Sequence, residues 1–239
     1  MAYRLYYWPT IQGRGEFVRL ALEAAGAAYD DVGRGTDGPD FGAVSAVLWG
    51  EEPGPPAFAP PVLDVGARLL AQTANILLYL GDRHGLAPSG ELDRLWVHQL
   101  QLTLADWVAE IHDTHHPVGA ELYYEDQKQE AARRAQVFRE HRMPKFLGYF
   151  ERVLADNVDS GWLAGDACSY ADLSLFQVVE GLRYAFPNAM GQAEYQTPRV
   201  TLLHARVREL PEIAAYLASE RRIPFNEDGI FRHYPELDL

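Results

Sequence analysis

The pattern of apolar and polar positions changes character near residue 85. Before this point, short β-type runs alternate with helical ones. Residues 4–8 predict a strand, residues 16–25 a helix that ends at Gly26, and residues 28–32 a second strand. This order predicts a βαβ unit at the start of the chain.

A Gly- and Pro-rich segment, residues 33–60, separates this unit from the next elements. It is too long for a simple connection and is interpreted as a loop that forms a functional rim. Residues 62–64 and 68–71 then flank a turn and predict a hairpin, and residues 74–80 predict a helix. The βαβ-ββα order predicts one compact mixed sheet with helices packed on it.

Helical periodicity replaces the strand signals after residue 91. Positions compatible with one buried helix face recur every three or four residues: Leu92, Leu95, Trp96, Gln99, Leu100, Thr103, Leu104 and Trp107. Residues 85–90 are rich in Gly, Pro and Ser and have linker chemistry. We therefore predict an α/β domain over residues 1–84 and an all-helical domain over residues 91–239.

Composition narrows the class of protein further. The 239 residues are 48% hydrophobic, which is enough for substantial cores, and carry a formal net charge of -13. This charge disfavours nucleic acid and anionic lipid as partners. No apolar run reaches the roughly 20 residues that span a bilayer, and the N-terminus does not have the layout of a signal peptide. We expect a soluble, cytoplasmic protein.

Cys168 is the only cysteine, so thiol chemistry at an active site requires a thiol from outside the chain. Cys168 itself is interpreted as a buried structural thiol. It lies within residues 161–176, where Ser169 and Asp172 form a capping-box pattern ahead of an apolar run. This pattern predicts a buried helix start, and loss of Asp172 is expected to cost about 1–2 kcal/mol of stability.

Four segments, taken in order, resemble the cytosolic glutathione transferases over nearly the whole chain. They are Tyr7 with the following Gly13-Arg14-Gly15-Glu16, the run Pro60-Pro61-Val62-Leu63, residues 72–77 and residues 165–172. The position of Tyr7 ahead of Gly13-Arg14 is most similar to the tyrosine-type, sigma-like classes. The resemblance implies a thioredoxin-like first domain, a helical second domain with a hydrophobic substrate site, and a homodimer. It also implies glutathione as co-substrate, small hydrophobic electrophiles as partners and a role in detoxification.

The chemistry of glutathione explains why a tyrosine suits this position. Glutathione reacts as a thiolate, whereas an ordinary cysteine thiol has a pKa of about 8.5. A phenol that donates a hydrogen bond to sulfur favours the anion. Strand alternation places Tyr6 and Trp8 on one face and Tyr7 with Leu5 on the other. Tyr7 is the predicted catalytic residue and Tyr6 the alternative, since all of these aromatics can also be ordinary strand residues.

The resemblance implies further glutathione contacts. Gln72 and Thr73 open a helix, whose free N–H groups and positive end suit the γ-glutamyl carboxylate, although Thr73 can also serve only as a cap. Asp106 is expected to meet the α-amino group, from the neighbouring subunit. A place on a solvated helix face remains the alternative for Asp106.

The sequence departs from the family pattern at three points. Pro61 matches the family's cis-proline, but the preceding residue, Pro60, has no N–H to donate to the ligand. The segment between Tyr7 and Gly13-Arg14 is one residue longer than in the commonest spacing of the tyrosine-type classes. No lysine occurs before Lys128, so Arg14 or Arg34, together with Trp49, is expected to meet the glycine carboxylate of glutathione instead.

The electrophile pocket is expected to be lined by residues of the helical domain and the aromatic C-terminal segment: Trp107, Ile111, His115 and Tyr234. His112, His115 and His116 with Asp113 do not follow a known zinc spacing. They are interpreted as cleft residues, and no metal cofactor is expected.

These observations lead to one hypothesis with two alternatives. The hypothesis is a homodimeric glutathione transferase in which Tyr7 stabilises the thiolate. The first alternative is an isomerase that uses glutathione at the same site. The second is a non-catalytic partner-binding module that retains the fold, and Pro60 and the missing lysine keep this reading open.

Overall fold

The computed structural model describes residues 2–35, 38–50 and 56–239. Four short strands form a mixed sheet in the order β2-β1-β3-β4. Their bounds are Tyr3–Tyr6 for β1, Tyr29–Asp31 for β2, Val62–Asp64 for β3 and Leu69–Ala71 for β4. Strand β2 runs parallel to β1, whereas β1 and β3, and then β3 and β4, are antiparallel. The predicted βαβ unit and hairpin are both present.

Helices cover both faces of this sheet: α1 Gly15–Ala24, α2 Phe41–Leu48 and α3 Thr73–His84. Leu5 and Leu63 face the main core with residues of α1 and α3. Tyr6 faces the opposite side, where it packs with Val47 of α2 and with Val62. The predicted alternation along β1 is therefore confirmed, because neighbouring residues enter different clusters.

Helix α2 corrects the interpretation of residues 33–60 as a loop. The segment contains an eight-residue helix whose N-cap Asp40 accepts a hydrogen bond from the Ala43 N–H at 2.9 Å. Val44 and Val47 are buried beneath it. The prediction failed because this helix is short and lies among Gly and Pro residues, which read as a loop.

Helices make up the regular structure after residue 85 among the residues described. They are α4 Glu91–His112, α5 Lys128–Val137, α6 Met143–Asp156, α7 Tyr170–Ala185, α8 Pro187–Ala193, α9 Pro198–Arg208 and α10 Pro211–Leu217. One π-helical turn, Phe138–Arg142, joins α5 to α6, and short 3₁₀ turns occur at Val32–Arg34, Tyr124–Asp126, Glu194–Gln196 and Pro235–Leu237. The predicted change from a mixed sheet to a helical bundle is confirmed. The division into residues 1–84 and 91–239 stays a prediction.

Helix α7 is the central element of the bundle, and nearly all of its residues are buried. Its start contains the predicted capping box, in which the Asp172 carboxylate accepts a hydrogen bond from the Ser169 N–H at 2.8 Å. None of the helices in the described ranges is both long and apolar enough to cross a bilayer.

Candidate functional site

Strand pairing brings the predicted site residues of the α/β part to one end of the sheet. In β1 and β3, Tyr6 lies opposite Val62, and in β3 and β4, Val62 lies opposite Ala71. The residues one step farther along therefore meet at this end of the sheet: Tyr7, Pro61 and Gln72. The Pro60–Pro61 peptide bond is cis, as the family resemblance implies.

The Tyr7 side chain lies against the N-terminus of α1 and is only 5% exposed. Its hydroxyl oxygen accepts a hydrogen bond from the Arg14 N–H at 2.7 Å. Its own hydrogen meets no acceptor within the described part of the chain, so it remains free to donate. Burial raises the pKa of Tyr7, while the N–H groups of Arg14 and Gly15 and the charge of Arg19 act in the opposite direction. The phenol is therefore neutral at physiological pH, which is the form that donates a hydrogen bond.

Glycines form the walls around this ring. A Cβ atom at Gly13 would lie 2.0 Å from the Tyr7 hydroxyl oxygen, and one at Gly15 would lie 2.4 Å from Tyr7 Cγ. On the other side, a Cβ at Gly33 would lie 2.2 Å from the Tyr7 carbonyl oxygen. Gly13 also has a φ of +46°, in the left-handed region that favours glycine. The loop therefore approaches the phenol because it lacks side chains at these positions.

Gln72 and Thr73 form a second polar feature at the same sheet end. Gln72 is exposed and is the one non-glycine residue of the described ranges with a positive φ, at +68°. Thr73 is the first residue of α3, and its buried Oγ1 has no hydrogen-bond partner among the residues that the structure describes. A polar group at a helix start with an unused hydroxyl and free N–H groups suits a carboxylate ligand.

The other predicted glutathione contacts are dispersed over the surface. The Arg14 side chain is exposed, and Trp49 is 82% exposed after the end of α2. Asp106 is also exposed and lies in a groove between α4 and α6, beside Lys145. Arg34 donates hydrogen bonds to main-chain carbonyls at residues 220 and 221, so its guanidinium is already committed.

Two of the predicted pocket residues belong to the core instead. Trp107 and Ile111 are 0% exposed. The Trp107 indole stacks on Phe146 and Phe150, with ring centroids 5.0 and 6.0 Å apart. The face of α4 that carries these residues packs against the bundle, so both side chains face the core rather than solvent.

The C-terminal segment folds back over the β1–α1 loop. Asn226 donates a hydrogen bond to the Thr10 carbonyl at 2.9 Å, and Gln12 donates to the Ile223 carbonyl at 2.5 Å. Tyr234, predicted to line the pocket, is half-buried and stacks on Tyr124 with centroids 3.8 Å apart. The C-terminal segment thus lies directly beside the β1–α1 loop that follows Tyr7.

A buried polar network, which the sequence reasoning missed, links this segment to α1. Glu16 is fully buried and accepts hydrogen bonds from Tyr216 at 2.6 Å and from Arg222 at 2.5 Å. Arg222 also donates to Gln177 at 3.0 Å, and Gln177 donates to Gln12 at 2.7 Å. The signal available in the sequence was the pair of charged residues Glu16 and Arg19, three positions apart in a mainly apolar helix.

Three histidines meet where α4 ends. His115 is 1% exposed, and its Nε2 lies 2.8 Å from the Ile230 carbonyl oxygen, so it is anchored rather than open to a cleft. Burial, followed by the charges of His116, Arg14 and Arg232, lowers the pKa of His112 to about 4. Burial also lowers the pKa of His115 to about 2, so both imidazoles are neutral at physiological pH.

Comparisons with known proteins all point to similarity with one family. Residues 112–220 match the family model described as "Glutathione S-transferase, C-terminal domain". A glutathione S-transferase of Plasmodium yoelii yoelii is 23% identical over 210 residues, which cover 88% of this chain and 90% of that protein. Over almost its whole length, this chain is similar to the glutathione S-transferases. The recognition of the family from the four sequence segments is thereby confirmed.

Solved structures of the glutathione S-transferase fold agree over nearly the full length. The Pi-class glutathione S-transferase of Onchocerca volvulus has a TM-score of 0.72 and 22% identity, covering 96% of this chain and 99% of that one. The monomeric Na-GST-3 of Necator americanus has a TM-score of 0.69 and 21% identity, covering 94% and 100%. At these identities the likeness establishes the fold, which is the predicted thioredoxin-like domain followed by helices.

Proposed function

We propose that this protein is a glutathione transferase that joins the glutathione sulfur to hydrophobic electrophiles, with Tyr7 as the group that stabilises the thiolate. Similarity to the glutathione S-transferases supports the reaction class. One observation supports the role of Tyr7: its oxygen accepts the Arg14 N–H, and its own hydrogen is left to donate. A neutral phenol in this state can give its hydrogen to sulfur without first breaking another bond.

Glutathione is proposed to lie along the end of the sheet. Its cysteine sulfur would face Tyr7, and its main chain would run beside Pro61, where the Pro60 carbonyl can accept a hydrogen bond but no N–H can be donated. The γ-glutamyl carboxylate would meet Gln72 and Thr73, and the Thr73 Oγ1 is buried without a partner in the described ranges. An unpaired buried hydroxyl costs free energy, which a ligand oxygen would recover.

The glycine carboxylate of glutathione is proposed to meet Arg14. The structure commits Arg34 to main-chain carbonyls, whereas the Arg14 guanidinium is exposed. Trp49 remains a proposed contact from the end of α2, since its indole is largely free.

The electrophile is proposed to enter between the Tyr7 loop and the C-terminal segment. Trp107 and Ile111 lie in the core and would support this wall from behind. His112 is only partly buried, and the charge of Arg14 contributes to the lowering of its pKa. Tyr234 and the anchored His115 would hold the segment in place. Fewer of the predicted residues therefore line the proposed pocket directly, because Trp107 and Ile111 lie behind it.

Dimer formation is a further part of the proposal. Helix α4 exposes Leu95 and Leu102, which are 58% and 49% accessible, and the loop before Pro60 exposes Phe58, which is 96% accessible. A contiguous patch of exposed apolar side chains commonly marks a protein interface, and these residues are proposed to contribute to one. Asp106 lies on the same helix, so in a homodimer it can face the site of the partner. A cytoplasmic location and a role in detoxification complete the proposal.

The test compares wild type with Tyr7→Phe and a matched control, Tyr6→Phe, on the opposite face of the strand. With a chloronitrobenzene electrophile, Tyr7→Phe is expected to lower the conjugation rate on the order of 100-fold, because one hydrogen-bond donor to the developing charge is lost. Tyr6→Phe should retain the rate, and all three proteins should be retained on immobilised glutathione.

Two results would count against the proposal in different ways. Unchanged conjugation by Tyr7→Phe together with a loss in Tyr6→Phe would transfer the role to Tyr6. Failure of wild type to bind glutathione at about 1 mM, equivalent to less than about 4 kcal/mol of binding free energy, would favour the non-catalytic module.

A further inference from the structure

Three imidazole rings converge at the C-terminal end of α4 and in the turn that follows it. His112, His115 and His116 each offer a ring nitrogen, and these atoms all lie within 4.8 Å of one another. The Nδ1 atoms of His115 and His116 are 2.5 Å apart. The ring centroids of the three pairs are 4.9, 5.3 and 4.8 Å apart. Two of the three side chains are buried, so the cluster is part of the packed structure.

The hydrogen bond to Ile230 fixes how His115 presents its nitrogens. The Ile230 carbonyl is only an acceptor, so His115 Nε2 must carry the hydrogen of this 2.8 Å contact. In a neutral imidazole the other nitrogen, Nδ1, then has a lone pair, and it is this atom that faces His116. An imidazole whose second nitrogen is held by a carbonyl is the usual arrangement for a metal-ligating histidine.

We propose that His112, His115 and His116 form a binding site for a divalent transition-metal ion of the zinc class. Imidazole nitrogens suit zinc, copper and nickel, and zinc binds them at about 2.0–2.1 Å. In a tetrahedral site such bonds place ligand nitrogens about 3.4 Å apart. The separations in the cluster, from 2.5 Å to at most 4.8 Å, bracket this value, so small side-chain rotations suffice.

Three protein ligands leave the fourth position of a tetrahedral ion open. The charged side chains that act on the histidine cluster influence which ligand would take this fourth position. Arg14 and Arg232 are the nearby cations, and Glu125 acts on His116 with the opposite sign. Two guanidinium groups repel a bare dication but attract an anion bound to it. The fourth ligand is therefore an anion, such as hydroxide or chloride, rather than a neutral group.

This inference does not depend on the transferase reaction, because metal binding is measured without glutathione. The full chain, free of any affinity tag and treated with a chelator, is titrated calorimetrically with zinc up to about 1 mM. We expect saturable binding of one zinc per chain. Magnesium, which prefers oxygen ligands and keeps its waters, should not bind at this site.

Variants then locate the site. His112→Ala removes a ligand that makes ring contacts but no side-chain hydrogen bond in the described structure, so the variant should fold. It is expected to weaken zinc binding on the order of 100-fold. His141→Ala is the matched control, since His141 is 71% exposed and distant in sequence, and it should bind zinc as wild type does. Zinc should also raise the melting temperature of wild type and of the control, but not of His112→Ala.

Three outcomes would overturn the proposal. They are no saturable zinc binding by wild type, equal binding by His112→Ala, and a loss of binding in His141→Ala that matches the loss in His112→Ala. If His112→Ala fails to fold, His116→Ala decides between the same outcomes.

Discussion

At the scale of single residues, the state of the Tyr7 hydroxyl decides what this site can do. A main-chain N–H from Arg14 occupies one lone pair of the oxygen at 2.7 Å. This bond orients the phenol and makes it a stronger hydrogen-bond donor, because it stabilises charge that develops on oxygen. Burial has the larger effect and raises the pKa of Tyr7, so the hydrogen stays on the ring. The Tyr7 hydroxyl is therefore a hydrogen-bond donor that keeps its hydrogen and whose orientation is fixed by the Arg14 N–H.

The pH dependence of conjugation tests this account. In wild type the rate should rise with pH as the bound thiol ionises, with a midpoint below the value of about 8.5 for an ordinary cysteine thiol. Because the pKa of Tyr7 is raised above its usual value of 10, the rate should not fall between pH 8 and pH 10. In Tyr7→Phe the midpoint should move up by about one pH unit or more, each unit being about 1.4 kcal/mol.

The measurement is the rate with saturating glutathione from pH 6 to pH 10. A decline in wild-type rate above pH 8, with the protein still folded, would mean that the phenol ionises in that range. Identical midpoints for wild type and Tyr7→Phe would remove the phenol from thiolate stabilisation.

At the scale of elements, the start of α7 is held more firmly than its sequence pattern implied. The Asp172 carboxylate is fully buried and accepts hydrogen bonds from the N–H groups of Ser169 and Leu163, each at 2.8 Å, and from the Ser169 hydroxyl at 2.6 Å. The bond to Leu163 ties the preceding loop to the helix. Burial raises the pKa of Asp172 to about 6, so the group is mainly ionised at pH 7.5 and can accept all three bonds.

Replacing Asp172 by Ala should therefore cost more than an ordinary cap. Two buried N–H groups lose their acceptor, at about 1–3 kcal/mol each, which suggests a loss of about 3 kcal/mol in the free energy of unfolding. Urea unfolding at pH 7.5 measures it. Asp159→Ala, at an exposed position of the loop before α7, is the control and should change stability little. A loss below about 1 kcal/mol in Asp172→Ala would show that water replaces the carboxylate.

At the scale of the whole molecule, buried charge connects the helical part to the loop that holds Tyr7. Glu16 in α1 accepts hydrogen bonds from Tyr216 in α10 and from Arg222 in the C-terminal segment. Arg222 continues through Gln177 to Gln12, which lies in the β1–α1 loop. Arg19 also pairs with Glu16 at 3.2 Å. Because the Glu16–Arg222 pair is buried, removal of Arg222 leaves part of the Glu16 charge uncompensated.

The variant Arg222→Met should consequently affect both stability and catalysis. We expect a loss of about 2–4 kcal/mol in the free energy of unfolding, since Arg19 still compensates part of the Glu16 charge. Conjugation should also slow, because Gln177, which donates to Gln12, loses the hydrogen bond from Arg222 that orders it. The neighbouring Arg221→Met is the control: its guanidinium is 56% exposed beside Glu23, and exposed pairs contribute about 1 kcal/mol or less. Equal effects of the two substitutions would rule out a special role for the buried network.

The elements with strong local signals were predictable from the sequence. Strand β3 and the capping box of α7 rest on short-range patterns, and the structure reproduces both. Helix α2 was missed because its residues lie among Gly and Pro residues, and its burial depends on packing against β1. The ends of β1 and α3 differ by a few residues from the predicted ones, which is the usual uncertainty at element boundaries.

The candidate site was predictable only in part, since tertiary packing decides which face of a helix is open. Tyr7, Pro61 and Gln72 each lie one residue beyond a paired strand position, and local patterns were enough to predict the strands themselves. The burial of Trp107 depends on Phe146 and Phe150, which lie about 40 residues away along the chain. The network through Glu16 spans residues some 200 positions apart, and no local pattern contains that information.

The glycines beside Tyr7 restrict how this chain can evolve. Positions 13 and 15 admit nothing larger than hydrogen, because any Cβ there would enter the space of the ring. Position 14 is different: the atom that contacts the phenol is a main-chain nitrogen, which every amino acid except proline supplies. Natural variation can therefore alter ligand preference through the side chain at position 14 while the chemistry of the phenol is inherited unchanged.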